Sequence, residues 1–202
     1  MQNVSESGLR RSVKRFLLRE TGRKAVMDVV LYGSMVRGKP APRDIDIVIL
    51  LCDRRDMRIA ISTALRRHLE TELGTAGTTT SFDVKAIMLD ELFDPSFTAR
   101  TGILVEGKSL LTGKPFCERA GLNGGMIFTY SLEKLKTSSE KVRFTQALMG
   151  RGKRAGVIDA VGGIHISRAC ISVPVRFVTE FEEFLNAWKM EYTKRACLTA
   201  PQ

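Results

Sequence analysis

Apolar residues recur with two distinct periods along the first half of the chain. Leu9, Val13, Phe16 and Leu17 stand at helical spacing, which predicts an amphipathic helix over 5–21 with Ser5 as its cap and Gly22 as its stop. AVMDVVLY (25–32) reads as a strand running into Gly33-Ser34, and DIDIVILL (44–51) as a second strand. The second is apolar on both faces beyond its first three residues, the mark of a central strand. Met57, Ile61, Leu65, Leu69 and Leu73 form one stripe of a helix over 56–73, and Gly74 follows it. TAGTTT (75–80) is expected to be a loop. SFDVKAIM (81–88) alternates cleanly as a third strand, Phe82, Val84, Ala86 and Met88 on one face and Ser81, Asp83, Lys85 and Ile87 on the other. Residues 89–113 predict a short helix and then an edge strand around TGILVEGKSLL.

The pattern breaks at Lys114-Pro115 and at the glycines 121, 124 and 125, which places a domain boundary between 119 and 120. The remainder predicts a strand (126–131), a helix (138–150), a basic glycine-bearing loop (150–156), a strand (169–175), a helix (177–190) and a strand (191–198). A short helix fits between the loop and the middle strand. Thr137-x-x-Glu140 and Thr179-x-x-Glu182 have capping-box spacing, the second close enough to its helix start to fall inside it. The fold class is therefore mixed α/β (α+β): residues 1–119 as one domain and 120–202 as a small, basic α+β domain.

Composition narrows the partners. The chain has 202 residues, is 44% hydrophobic and carries 32 Lys and Arg against 22 Asp and Glu, a net charge of +10. That balance suits a folded protein with an anionic partner such as nucleic acid, nucleotide phosphates or a membrane surface. No run approaches the length of a membrane span, and charges among the first twenty residues argue against a secretory signal. Cys52, Cys117, Cys170 and Cys197 form no C-x-x-C pair, and His68 and His165 are the sole histidines. Reduced thiols in a cytoplasmic protein are the expectation, and a structural zinc site is not.

Three carboxylates stand out by position. Asp44 and Asp46 share a face at the mouth of an apolar strand, where two like charges are costly unless a cation joins them. Asp83 opens the next strand, on the face opposite Phe82 and Val84. If the two strands are neighbours, all three converge on hard-oxygen chemistry suited to magnesium. Upstream, LYGSMVRG places Gly33 and Ser34 at a strand end and helical turn where main-chain N–H groups and a hydroxyl can cradle phosphate, and Arg37 one turn on adds a cationic fork. Nine residues separate Ser34 from Asp44, too few for a parallel crossover, so the first two strands are expected to be antiparallel.

Gly-Ser, about ten residues, Asp-x-Asp and a later strand Asp together resemble the minimal form of the polymerase-beta-like nucleotidyltransferase superfamily, over residues 25–112. The resemblance implies that Gly33 and Ser34 contact the nucleotide phosphates and that Asp44, Asp46 and Asp83 ligate two Mg2+ ions, with Mn2+ as a substitute. Asp83 would also orient or deprotonate an acceptor hydroxyl. The implied reaction moves a nucleoside monophosphate from a triphosphate such as ATP, releasing pyrophosphate. Two departures bear on nucleotide choice: a gap from Ser34 to Asp44 one residue short of the commonest spacing, and Arg43 where a small hydroxyl residue often stands.

Plainer roles compete at other positions. Lys85 is expected to be solvated or paired with a carboxylate, His68 structural, His165 solvent-facing and Trp188 part of the core. Arg151, Lys153 and Arg154 on a glycine-spaced loop suit either contact with a polyanionic acceptor or a solvated turn that complements the preceding helix dipole. Two rivals to an enzyme remain: a non-catalytic nucleotidyltransferase-like binding or antitoxin-type module that contacts nucleic acid or protein, and a structural adaptor.

Overall fold

The structure, a computed structural model, describes residues 4–39, 42–74 and 81–200; the expected loop 75–80 lies outside them. The chain forms two compact units, dividing between Gly121 and Leu122.

In the first unit, helix α1 (Glu6–Arg19) starts at Ser5, whose hydroxyl accepts the Gly8 N–H at 3.1 Å. It ends three residues before Gly22, and a 3-10 turn (Thr21–Ala25) leads into β1 (Val26–Tyr32). Strand β2 (Asp44–Leu51), helix α2 (Arg58–Leu73), β3 (Ser81–Met88) and β4 (Lys108–Ser109) follow. The sheet order is β3-β2-β1-β4. β1 and β2 are antiparallel, and α2 is the crossover that makes β2 and β3 parallel. β2 is thus central, which is why its residues are apolar on both sides.

One sheet face (Val29, Leu31, Ile45, Ile47, Ile49, Val84, Ala86) packs on the stripes of α1 and α2, including Leu9, Val13, Ile61 and Leu65. The other face (Val30, Tyr32, Val48, Leu50, Ile87) is covered by Leu92, Ile103 and Phe116 from short helical turns. The edge strand expected around 101–111 is only two residues long. Gly102–Glu106 winds instead into a π-helical turn, and a Cβ on Gly107 would lie 2.1 Å from the Ile103 carbonyl oxygen that closes it.

The second unit is β5 (Asn123–Ser131), α3 (Ser138–Met149), α4 (Val157–Ala160), β6 (Ile164–Ser167), β7 (Cys170–Pro174), α5 (Val178–Ala187) and β8 (Glu191–Thr199). The sheet is antiparallel in the order β6-β7-β5-β8. With α4 as an extra turn, this is the β-α-β-β-α-β split arrangement of ferredoxin-like domains. Phe128, Ile171 and Val173 pack with Phe144, Phe181 and Leu185 of the helices, and Trp188 stands edge-on to Phe144 at 5.4 Å. Thr137 and Glu140 form the expected capping box. Thr179 falls inside α5, and Glu182 pairs with Lys194 instead. Among the described residues no helix is long and apolar enough to cross a membrane.

Candidate active site

The register of the first sheet assembles the site. Asp46 on β2 is the partner of Tyr32 on β1 and of Asp83 on β3. Register partners face the same side of a sheet, so Tyr32, Asp46 and Asp83 form one row, neighbours about 4.8 Å apart in strand spacing. Asp44, two residues earlier, adds a second row with Ser81. The face is the one carrying Val48, Leu50 and Ile87, just past the end of their apolar cluster.

The carboxylates are aligned without being gathered into a cage. Asp44 accepts the Ser81 hydroxyl at 2.6 Å, and Asp83 pairs with the Lys85 ammonium at 2.8 Å. Among the described residues, no three Asp, Glu, His or Cys side chains form a ready metal-binding group. Like charges nevertheless crowd the row. Burial pushes the Asp46 carboxyl above its usual range, and the charges of Asp83 and Asp44 push it further, against Lys85 and Arg37. Burial likewise raises the Tyr32 phenol, with Lys85 opposing and Asp46 and Asp83 reinforcing. The bond to Asp83 holds the Lys85 ammonium above its usual value, against burial. Three aspartates with oxygen-only donors and residual repulsion fit a hard divalent ion.

Gly33 closes on this row. Its φ is +79°, and a Cβ there would lie 2.3 Å from Asp46 Oδ2, so the carboxylate occupies the space that a side chain would need. Residues 34–38 make a hydrogen-bonded turn and no regular helix, with Arg37 N–H bonded to the Gly33 carbonyl at 3.4 Å. One turn supplies oriented N–H groups but little of the macrodipole expected of a helix. The Arg37 side chain bonds to buried Glu106 on the π-helical turn, which ties the Gly33 loop to the rest of the unit. Its guanidinium is thus engaged within the protein.

Tyr32 and Ser81 belong to the site and were not singled out in the sequence. Eleven residues join β1 to β2, too many to fix the register, so the pairing of Tyr32 with Asp46 had no local signal. His68 is structural, its Nε2 3.1 Å from the Ser12 carbonyl, and His165 is exposed on β6.

In the second unit the basic segment is a closed turn. Arg151 and Arg154 exchange main-chain bonds at 3.0 and 3.1 Å, and both side chains and that of Lys153 are exposed. Because the backbone closes the turn by itself, changing all three to Ala is expected to leave the melting temperature unaltered. If the turn grips a polyanion, the change should also weaken oligonucleotide binding and lower the slope of log affinity against log salt by about 0.7–0.9 per lost phosphate contact. Unchanged binding with a lower melting temperature would make these cations a helix cap.

Compared with protein-family models, curated proteins and solved structures, the chain matches none.

Proposed function

We propose that the first unit is a metal-dependent nucleotidyltransferase, moving a nucleoside monophosphate from a triphosphate to a hydroxyl acceptor and releasing pyrophosphate. The observation that supports this most directly is the register of Asp46 against Asp83 on parallel strands, with Asp44 on the same face and Gly33 against the Asp46 carboxylate.

Each residue then has a task. Gly33 and Ser34 hold the triphosphate by close main-chain approach and one hydroxyl. Asp44, Asp46 and Asp83 would hold two Mg2+ ions, which withdraw charge from attacking and leaving oxygens. Asp83 also orients the acceptor hydroxyl and takes its proton. Arg37, through Glu106, positions the Gly33 loop.

The test is incubation of the chain with Mg2+ or Mn2+ and each labelled triphosphate in turn, reading nucleotide binding and pyrophosphate release. Asp46→Asn should abolish release while leaving the fold intact. Its effect on stability has a definite sign. A carboxyl raised in the folded state costs stability once ionised, so folding weakens as pH rises through the Asp46 range. The Asn variant should therefore melt above the wild type at neutral pH, an advantage that fades as the pH drops below the ordinary Asp range. A chain this long gains about 2–4 °C per kcal/mol.

One observation favours a second reading, a non-catalytic binding or antitoxin-type module that contacts nucleic acid or protein. Lys85 already neutralises Asp83. Wild-type protein that binds triphosphate equally with and without metal, and releases no pyrophosphate, would select it.

A further inference from the structure

β3 is the edge strand of its sheet, paired with β2 alone among the described residues. The N–H groups of Ser81 and Leu89 reach the carbonyls of Arg43 and Leu51 at 2.9 Å, so the odd residues turn their main chain towards β2 and the even ones turn outward. The outward set behaves accordingly. The Ala86 carbonyl accepts Arg58 Nε at 3.1 Å, and the Met88 N–H donates to Glu91 at 3.1 Å. This leaves the main chain of Val84 and the N–H of Ala86 on the open edge.

A groove of about 660 Å3 runs along this edge, walled by Arg55, Arg58, Ile59, Lys85 and Phe97. Ile59 is 81% exposed, an apolar side chain with little reason to face water. Lys85 joins the groove to the candidate site, since its ammonium rests on Asp83. The row Tyr32, Asp46, Asp83 ends at the same edge. A strand added beside β3 would supply the next place in that row, about 4.8 Å further out and on the same face.

We infer that this groove takes an extended polypeptide segment as an added strand and presents its Ser, Thr or Tyr hydroxyl to Asp83, which makes protein the acceptor. The inference rests on the nucleotidyl-transfer reading above. Main-chain donors and acceptors with Ile59 and Phe97 beside them match a polypeptide. Phosphodiesters find less, because Arg58 is held by Glu91 and Lys85 by Asp83. Arg55, the third cation of the lining, is likewise paired with Asp90 and Glu91, so the groove offers a ligand main-chain and apolar contacts more than free charge. In the reaction, the hydroxyl oxygen bonds to the α-phosphorus of the triphosphate. The bond from that phosphorus to the oxygen bridging to the β-phosphate breaks, and pyrophosphate leaves with the electron pair. The hydroxyl proton passes to the Asp83 carboxylate.

The experiment uses the full chain with Mg2+, labelled triphosphates, and a library of synthetic decapeptides with one central Ser, Thr or Tyr in apolar flanks of varied charge. Random DNA and RNA oligonucleotides are offered in parallel. Peptide binding is read by fluorescence anisotropy and transfer by label on the peptide. Two variants probe the groove: Ala86→Pro, which removes an outward N–H that an edge strand tolerates losing, and Ile59→Glu at an exposed position. Each should weaken peptide binding about ten-fold or more, a loss of at least about 1.4 kcal/mol, with triphosphate binding unchanged. If Ala86→Pro does not fold, Ile59→Glu decides alone. The inference is overturned if no peptide binds, if binding ignores the groove variants, or if label goes to oligonucleotide ends and not to peptides. Failure of the wild type to bind any triphosphate overturns the nucleotidyl-transfer reading instead, and the anisotropy arm still decides whether the groove takes a strand.

Discussion

Replacing Arg119 by Met is expected to cost the first unit about 3 kcal/mol, read as a fall of roughly 10 °C in its melting temperature. Asp28 on β1 is fully buried, a rare place for a carboxylate. It accepts the Val29 N–H at 2.8 Å, the Ser109 hydroxyl at 2.7 Å and an Arg119 N–H at 2.7 Å. Arg119 is its single counter-charge among the described residues. Remove it, and a buried anion keeps two neutral donors and no cation. The arginine is 48% exposed, which places the cost at the lower end for a buried pair. Asp28→Asn should recover most of the loss in the Arg119→Met background, because a neutral amide is far cheaper to bury. A double-mutant cycle isolates that coupling. A melting temperature within about 2 °C of the wild type for Arg119→Met would overturn the argument, being under about 1 kcal/mol in a chain this long.

Much of the first sheet could be read because its signals are local. The run IVILL makes β2 central, the nine residues between Ser34 and Asp44 exclude a parallel crossover, and a helix of α2's length between β2 and β3 supplies one. Period-two alternation then decides which residues face the site. Pairing across long stretches left no such trace. Arg37 reads as a phosphate fork until Glu106, 69 residues on, is found bonded to it. Asp28 reads as a flaw in an apolar strand until Arg119 arrives from 91 residues away. β6 escaped for a different reason. All four of its residues are exposed, so it has no buried face, and the alternation of Ile164 and Ile166 with His165 and Ser167 is only four residues long. Without β6 the split β-α-β-β-α-β order of the second unit could not be recovered.

Under the proposed function, Gly33→Ala should lower nucleotidyl transfer about 100-fold, the scale of an ångström's misplacement in a reacting group. The argument is steric and begins at one atom. A Cβ on residue 33 would lie 2.3 Å from Asp46 Oδ2, and the φ of +79° is one that side chains rarely adopt. Either the carboxylate swings out of its row or the turn opens and carries Ser34 and Arg37 with it. Stability should fall by only about 1–2 kcal/mol, the cost of one left-handed residue. Ser34→Ala provides the contrast, since it leaves the turn and Asp46 in place. It should weaken triphosphate binding by about 0.5–1.5 kcal/mol if its hydroxyl meets a neutral group, or up to about 3 against a charged phosphate. Combining Gly33→Ala with Asp46→Asn separates strain from displacement. If the alanine acts by moving Asp46, it adds little to the Asn variant's loss of metal binding, and if it acts through Ser34, triphosphate affinity falls further. Unchanged triphosphate and metal affinity in both single variants would remove Gly33 and Ser34 from the site.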